Sequence, residues 1–130
     1  MISEELLPAM QGAVPSTIVT CSLGGEPNTT VISQVFYVDE NHVALSFQFF
    51  NKTIKNVREN RNALVTIRRP EDFKCWQLEL EFEQSLTEGP VFDQMDMELE
   101  AIASMTGLSG VFKLQASDIY KVRSVTHISI

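Results

Sequence analysis

Cysteine is scarce in this 130-residue chain: there are two, Cys21 and Cys75. They fit no Cys-x-x-Cys or Cys/His spacing, which excludes a disulfide-stapled framework or a recognisable zinc site, and they read as small buried hydrophobes of a reducing compartment. Histidine is equally rare, with His42 and His127 alone. Neither sits at metal-ligand spacing, and His42, beside a turn, reads as a surface residue. Glycine and proline are sparse, and no repeat, low-complexity tract or linker interrupts the chain, so residues 1–130 are expected to form a single domain. No apolar run approaches the ~18 residues of a membrane span. The start, Met1-Ile2-Ser3-Glu4-Glu5, lacks the basic opening of a secretory leader, which predicts a cytoplasmic protein with no membrane partner. In that compartment Asn28-Thr29-Thr30 and Asn51-Lys52-Thr53 are chance matches to the glycosylation pattern. Positive charge is short as well: 10 Lys and Arg stand against 17 Asp and Glu, a net charge of −7. That balance argues against nucleic acid and anionic membrane as partners. There is no nucleophile elbow, dinucleotide-binding glycine fingerprint or phosphate-binding P-loop, and no pair of catalytic carboxylates stands out.

What is present is strand pattern. The 44% hydrophobic and 21% charged content is that of a globular chain and not of a disordered one. Ser3 is expected to cap a short helix that runs to about Gln11 and stops at Gly12. Strands are predicted over Ser16 to Leu23, Asn28 to Val38 and His42 to Phe49, with turns at Gly24-Gly25 and Asp39-Glu40-Asn41, as in an antiparallel meander. Lys52 to Asn60 carries Ile54 and Val57 three apart and reads as a short amphipathic helix. Asn62 to Arg68 is again a strand. From Cys75 to Glu88, Trp76, Leu78, Leu80 and Phe82 alternate with Gln77, Glu79, Glu81 and Glu83, giving one buried and one wet, acidic face. A further helix after Gly89-Pro90, with Asp93 as cap and Gly107 as stop, buries Met95, Leu99 and Ile102. Strands over Gly110 to Gln115 and Ile119 to Ile130, separated by a turn at Ala116-Ser117-Asp118, close the chain. Six or so short strands with three short helices point to a barrel or sandwich.

The basic residues are not evenly spread. Lys52, Lys55, Arg58, Arg61, Arg68 and Arg69 fall in one window that holds a single acid, Glu59. The window reads either as a local anion site or as a solvated helix face followed by a basic loop, and charge alone leaves both open. At its start a strand ends at Ser46-Phe47-Gln48, a loop follows, and a helix begins near Thr53. Such a helix start offers unpaired N–H groups and a positive dipole end. With Asn51, Lys52 and Thr53 as donors it could hold a phosphate. The other reading is a simple cap with a solvated lysine.

The run from Asp39 to Asn60 resembles the flavin-binding segment of the pyridoxamine 5′-phosphate oxidase-like split barrels, with Asn51-Lys52-Thr53 as the loop and Glu59-Asn60-Arg61 as the helix end. The opening helix with Pro15, and the run from Gly110-Val111-Phe112-Lys113-Leu114 to Asp118-Ile119-Tyr120-Lys121-Val122, are also similar to members of that family, so the resemblance spans nearly the whole chain. It implies a mostly β fold, a six-stranded antiparallel split barrel with short helices, dimeric, with FMN at the subunit interface. It implies that Lys52 holds the phosphate, with Asn51 and Thr53 where many members carry serine and lysine. Val31, Ile32, Ser33 and Gln34 fall on the strand that meets the flavin ring. Ser46, Phe47 and Gln48 fall on the next strand, and Trp76 and Gln77 on the strand that reaches the flavin of the other subunit. Trp76 reads equally as a core residue of its alternating face. Val31 replaces a phosphate-holding arginine of many members, a loss that Lys55 or a partner-chain group would have to cover. Arg123 and His127 are four apart where true pyridoxamine phosphate oxidases have Arg-x-His, and no late tryptophan exists, so the chain is not expected to make pyridoxal phosphate. The expected function is that of an FMN-dependent oxidoreductase of unspecified substrate, working as a homodimer. The alternative is a non-enzymatic flavin, haem or F420 binding module.

Overall fold

Alternation of buried and exposed side chains decides most of this structure. The computed structural model describes residues 1–32, 34–47, 51–105 and 114–128, with the side chains of Phe47, Asn51, Ile102 and Ala103 left aside. Seven strands form one antiparallel sheet: β1 (Ser16–Cys21), β2 (Pro27–Ile32), β3 (Phe36–Asp39), β4 (His42–Phe47), β5 (Asn62–Arg68), β6 (Cys75–Leu86) and β7 (Ala116–Ile128). Their order across the sheet is β2-β1-β5-β6-β7-β4-β3. Helix α1 (Leu7–Met10) follows a 3-10 turn at Glu4–Leu6, α2 (Asn51–Asn60) links β4 to β5, and α3 (Pro90–Met105) links β6 to β7.

The sheet has seven strands where six were expected, and among the described residues β2 and β3 are open edges, so no barrel closes. The predicted strand from Asn28 to Val38 is two strands. The chain leaves the β1–β2 ladder after Ile32 and joins β4 from Phe36 on, and in between Val35 N–H donates to the carbonyl of Met10 at 3.0 Å. Ala116-Ser117-Asp118, expected as a turn, is the start of β7, paired with β4 on one side and β6 on the other. Of the strand expected over Gly110 to Gln115, residues 110–113 lie outside the described residues, and Leu114 and Gln115 are not in a strand. Gly107 also lies outside them. Helix α3 begins at Pro90 and not at Asp93, because proline loses nothing at a first helical position. Ser3 has an extended backbone ahead of the first turn, but its hydroxyl makes no cap hydrogen bond.

One face of the sheet builds the main core. Ile18, Val65, Ile67, Leu78, Leu80 and Val122 are all but fully buried there, roofed by Leu6, Ala9 and Met10 of the N-terminal helical segment and by Val57 of α2. Each such side chain contributes roughly 1.5–3 kcal/mol of burial. A smaller cluster lies on the other face, where Met95 of α3 meets Phe36, Ala44, Leu114 and Ile119. Among the described residues, the second face of β2, β1 and β5 has no such cover.

Helix α2 is pinned by polar contacts along one side. Asn28 Nδ2 donates to Thr53 Oγ1 at 3.1 Å, Asn56 Nδ2 to Thr20 Oγ1 at 3.1 Å, and Asn60 Nδ2 to the Cys21 carbonyl at 3.2 Å. Positions 53, 56 and 60 share a helix face, so the three bonds lay that face against β1 and β2. The helix ends where Arg61 enters the left-handed region at φ 69°. That conformation is costly for arginine and is held by its own bonds: Arg61 N–H to the Val57 carbonyl, Phe82 N–H to the Arg61 carbonyl, and the guanidinium to the Phe82 carbonyl at 3.2 Å.

Candidate functional site

Two rows of side chains run across the uncovered sheet face. Strand register sets Val31, Thr17, Thr66, Gln77 and Thr126 side by side over five strands. The next row, two residues on, is Thr29, Val19, Leu64, Glu79 and Ser124. All ten are half-buried or exposed, while their neighbours in sequence on β1, β5 and β6 are largely buried. The rows are mostly β-branched or small, with Leu64 and Gln77 as the larger members, and neutral apart from Glu79. Arg68 projects from the same face one step beyond Thr66, by the period of two along β5.

This geometry sorts the sequence-derived candidates. Val31, 65% exposed, and Gln77 share one row of the open face, about 14 Å apart at ~4.8 Å per strand. Ile32 and Trp76 point the other way, into the main core. Trp76 lies under the Arg69 guanidinium at 5.3 Å and beside the His127 ring at 5.7 Å. Gln34 is half-buried between β2 and β3, and Ser46 is half-buried near the end of β4. Ser33 and Gln48 lie outside the described residues, as do the side chains of Phe47 and Asn51.

At the start of α2, Thr53 is buried and its oxygen accepts from Asn28, so it secures the helix and is not presented to solvent. Lys52 is open to solvent. Its ammonium is 3.6 Å from the Glu26 carboxylate, with the two side chains 69% and 74% exposed. Such a loose surface pair is worth ~0–1 kcal/mol and exchanges readily for a better anion. Lys55 is exposed, and it and Arg68 make no ion pair among the described residues.

Much of the basic window is spent on structure. Arg58 grips Asp118 with both terminal nitrogens, at 3.0 and 3.1 Å, and lies 4.2 Å above the Phe82 ring. Arg61 is held at the end of α2. Arg69 makes a double hydrogen bond to Asp72, at 3.0 and 2.7 Å. That bond, chiefly, lowers the Asp72 carboxyl to about 2. Beside these, burial and then the Asp118 charge push the Tyr120 phenol well above its ordinary range. Of the window's remaining cations, Lys52 has only its loose surface pair, and Lys55 and Arg68 make no ion pair among the described residues. Arg68 lies on the open face, whereas Lys52 and Lys55 stand on α2, which packs against the core face of β1 and β2.

His42, read from the sequence as a surface residue, is half-buried, with Nδ1 2.9 Å from Asp39 and Nε2 3.0 Å from Glu83. The Asp39 spacing was visible; the Glu83 contact depends on the sheet. Among the described residues no group of three or more His, Cys, Asp or Glu side chains is arranged to hold a metal ion.

No family model matches the chain, and no curated protein matches it by sequence. Solved structures do match. An FMN-binding protein from Syntrophomonas wolfei superposes with a TM-score of 0.79 at 19% identity, over 97% of this chain and 88% of that one. HupZ of Group A Streptococcus gives 0.73 at 18% identity, over 98% and 94%. An F420 reductase gives 0.68 at 8% identity, over 96% and 98%. The same fold extends to a putative pyridoxamine 5′-phosphate oxidase from Lactobacillus delbrueckii, with a TM-score of 0.64 at 10% identity over 95% and 92%, and to HutZ, a heme storage protein from Vibrio cholerae, with 0.59 at 12% identity over 87% and 85%. This chain therefore has the pyridoxamine 5′-phosphate oxidase-like split-barrel fold, as its sequence resemblance implied. At these identities the likeness establishes the fold alone.

Proposed function

We propose that the chain binds FMN with its ring on the open face of β2, β1, β5 and β6 and its phosphate carried round the β2 edge to the start of α2, as a homodimer, and serves as a cytoplasmic oxidoreductase. The observation that carries this reading is the nearly neutral double row of side chains, with Arg68 on the same face and the exposed Lys52 and Lys55 at the start of α2, behind the β2 edge. A flat, half-apolar ring with a phosphate tail needs such a surface: van der Waals area for the ring and a few cations for the anion. The residues present fit that group. Lys52, backed by Lys55 and the N–H groups at the start of α2, would hold the phosphate. Gln77 and the neighbouring threonines would meet the ring. When bound, a flavin supplies hydride or single-electron transfer, and the chain needs no acid–base pair of its own to do so. The protein's share is to bind, orient and exclude water.

The same face supports the homodimer. Five paired strands presenting Thr, Val, Leu and Gln bury well against a second copy, because few charges must be desolvated. That FMN and F420 are named for other proteins of this fold supports a flavin-type ligand. The test is the visible spectrum of the protein after incubation with FMN and passage through a desalting column. Retained flavin bands support the proposal, and a colourless protein overturns it.

A second reading, a non-enzymatic flavin, haem or F420 module, is favoured by one observation: Val31 places an exposed apolar side chain on the ring face and brings no cation. Turnover of the loaded protein with NADH or NADPH separates the two. Reduction followed by transfer to an acceptor supports the enzyme, and inert binding supports the module.

A further inference from the structure

A groove of about 730 Å³ opens between α1, β3 and the first turns of α3. Its floor is apolar and firm: Met10, Val35, Phe36 and Met95 are each at most 5% exposed. Its rim is polar and uncharged except at one place. Gln11, Gln34 and Gln94 stand around it with Glu98, whose carboxylate accepts from the Gln94 amide at 3.0 Å. Tyr37, on the wall, is 50% exposed, so half of this large aromatic residue is open to solvent. No lysine, arginine or histidine lines the groove among the described residues.

We propose that this groove is a binding site for a small planar aromatic cation. Its volume lies within the range of small-molecule sites, and an apolar floor under a few fixed polar groups is their usual anatomy. The charge pattern selects the sign. An anion would meet a carboxylate and no cation, whereas a cation gains Glu98 and the face of Tyr37. Met10 and Met95, one from each core cluster, give the groove polarisable apolar surface. The net charge of −7 adds long-range attraction for the same sign. The FMN proposal requires a phosphate-accepting site, so this groove, which repels phosphate, is a separate site and stands whether or not flavin binds.

The test uses protein labelled with 13C at its methionine methyl groups, titrated with the aromatic cation 9-aminoacridine and, separately, with the anion anthracene-9-carboxylate. The Met10 and Met95 signals are expected to move together on one saturable curve with the cation. Met97 and Met105, exposed on α3 outside the groove, stay still, and the anion leaves all signals in place. Glu98→Gln is expected to weaken the cation about tenfold, and Gln94→Trp, at an exposed helix position, to abolish its binding with the melting curve preserved. Shifts spread over the exposed methionines, equal binding of the anion, or an unaltered affinity in Glu98→Gln would overturn the proposal.

Discussion

Replacing Arg58 with alanine should be among the most damaging single changes on α2. The guanidinium makes two charge-assisted hydrogen bonds to Asp118, whose side chain is 5% exposed, and covers the Phe82 ring. Each charged hydrogen bond is worth ~1.5–3 kcal/mol and the ring contact ~0.5–2 kcal/mol, and the change also leaves a carboxylate buried without its partner. Stranding one member of a buried pair costs about 3–5 kcal/mol. Arg58 itself is 33% exposed, so water takes up part of the loss. The net expectation is about 2–4 kcal/mol. For a domain of this size that lowers the melting temperature by roughly 7–15 °C. Asp118→Asn should cost less, because the amide still accepts one bond and the charge left unpaired, on Arg58, is one-third exposed to water. Urea unfolding of Arg58→Ala, Asp118→Asn and the double variant gives the coupling directly. A loss below about 1 kcal/mol in Arg58→Ala, or additive single losses, would refute the reasoning.

Three further changes probe other parts of the molecule. Asn56→Ala removes the donor to buried Thr20 and should cost about 1–2 kcal/mol, read by the same unfolding curves. The Asp72 carboxyl, held down by Arg69, contributes stability that is complete above its unfolded value of 3.8 and fades as pH falls toward about 2. Carboxyl NMR titration should find it still ionised at pH 3, and Asp72→Asn should flatten that arm of the stability profile. Val31→Arg adds a cation to the exposed end of the long row and should tighten FMN about tenfold, whereas Lys52→Glu should loosen it by as much or more, both read by quenching of flavin fluorescence. An unchanged affinity in both variants would move the phosphate away from this face.

How much of this was legible in the sequence follows from where each interaction lies. Strands with strict alternation were readable to the residue at β5, and nearly so at β6, because a period of two is a local signal. The break between β2 and β3 was not, since Ile32 and Phe36 belong to different ladders and only the sheet reveals it. Ala116-Ser117-Asp118 looked like a turn because small and acidic residues usually mark one. Here Asp118 is tolerated inside a strand because an arginine 60 residues away neutralises it. The candidate site shows the same division. The phosphate-type helix start was visible as a cluster of donors and cations. That Thr53, Arg58 and Arg61 are spent on packing, and that Val31 and Gln77 share a row while Trp76 faces the core, depends on register and long-range pairing that no local pattern encodes.

Hydrogen–deuterium exchange of the protein with and without saturating FMN tests the central claim most directly, because it locates the ligand as well as detecting it. The account predicts slowed exchange in residues 29–32 of β2, in the first turn of α2 from Lys52, and along β5 and β6 near Thr66 and Gln77, with the β3–α3 groove unchanged. Protection confined to the groove, or none anywhere, would contradict it.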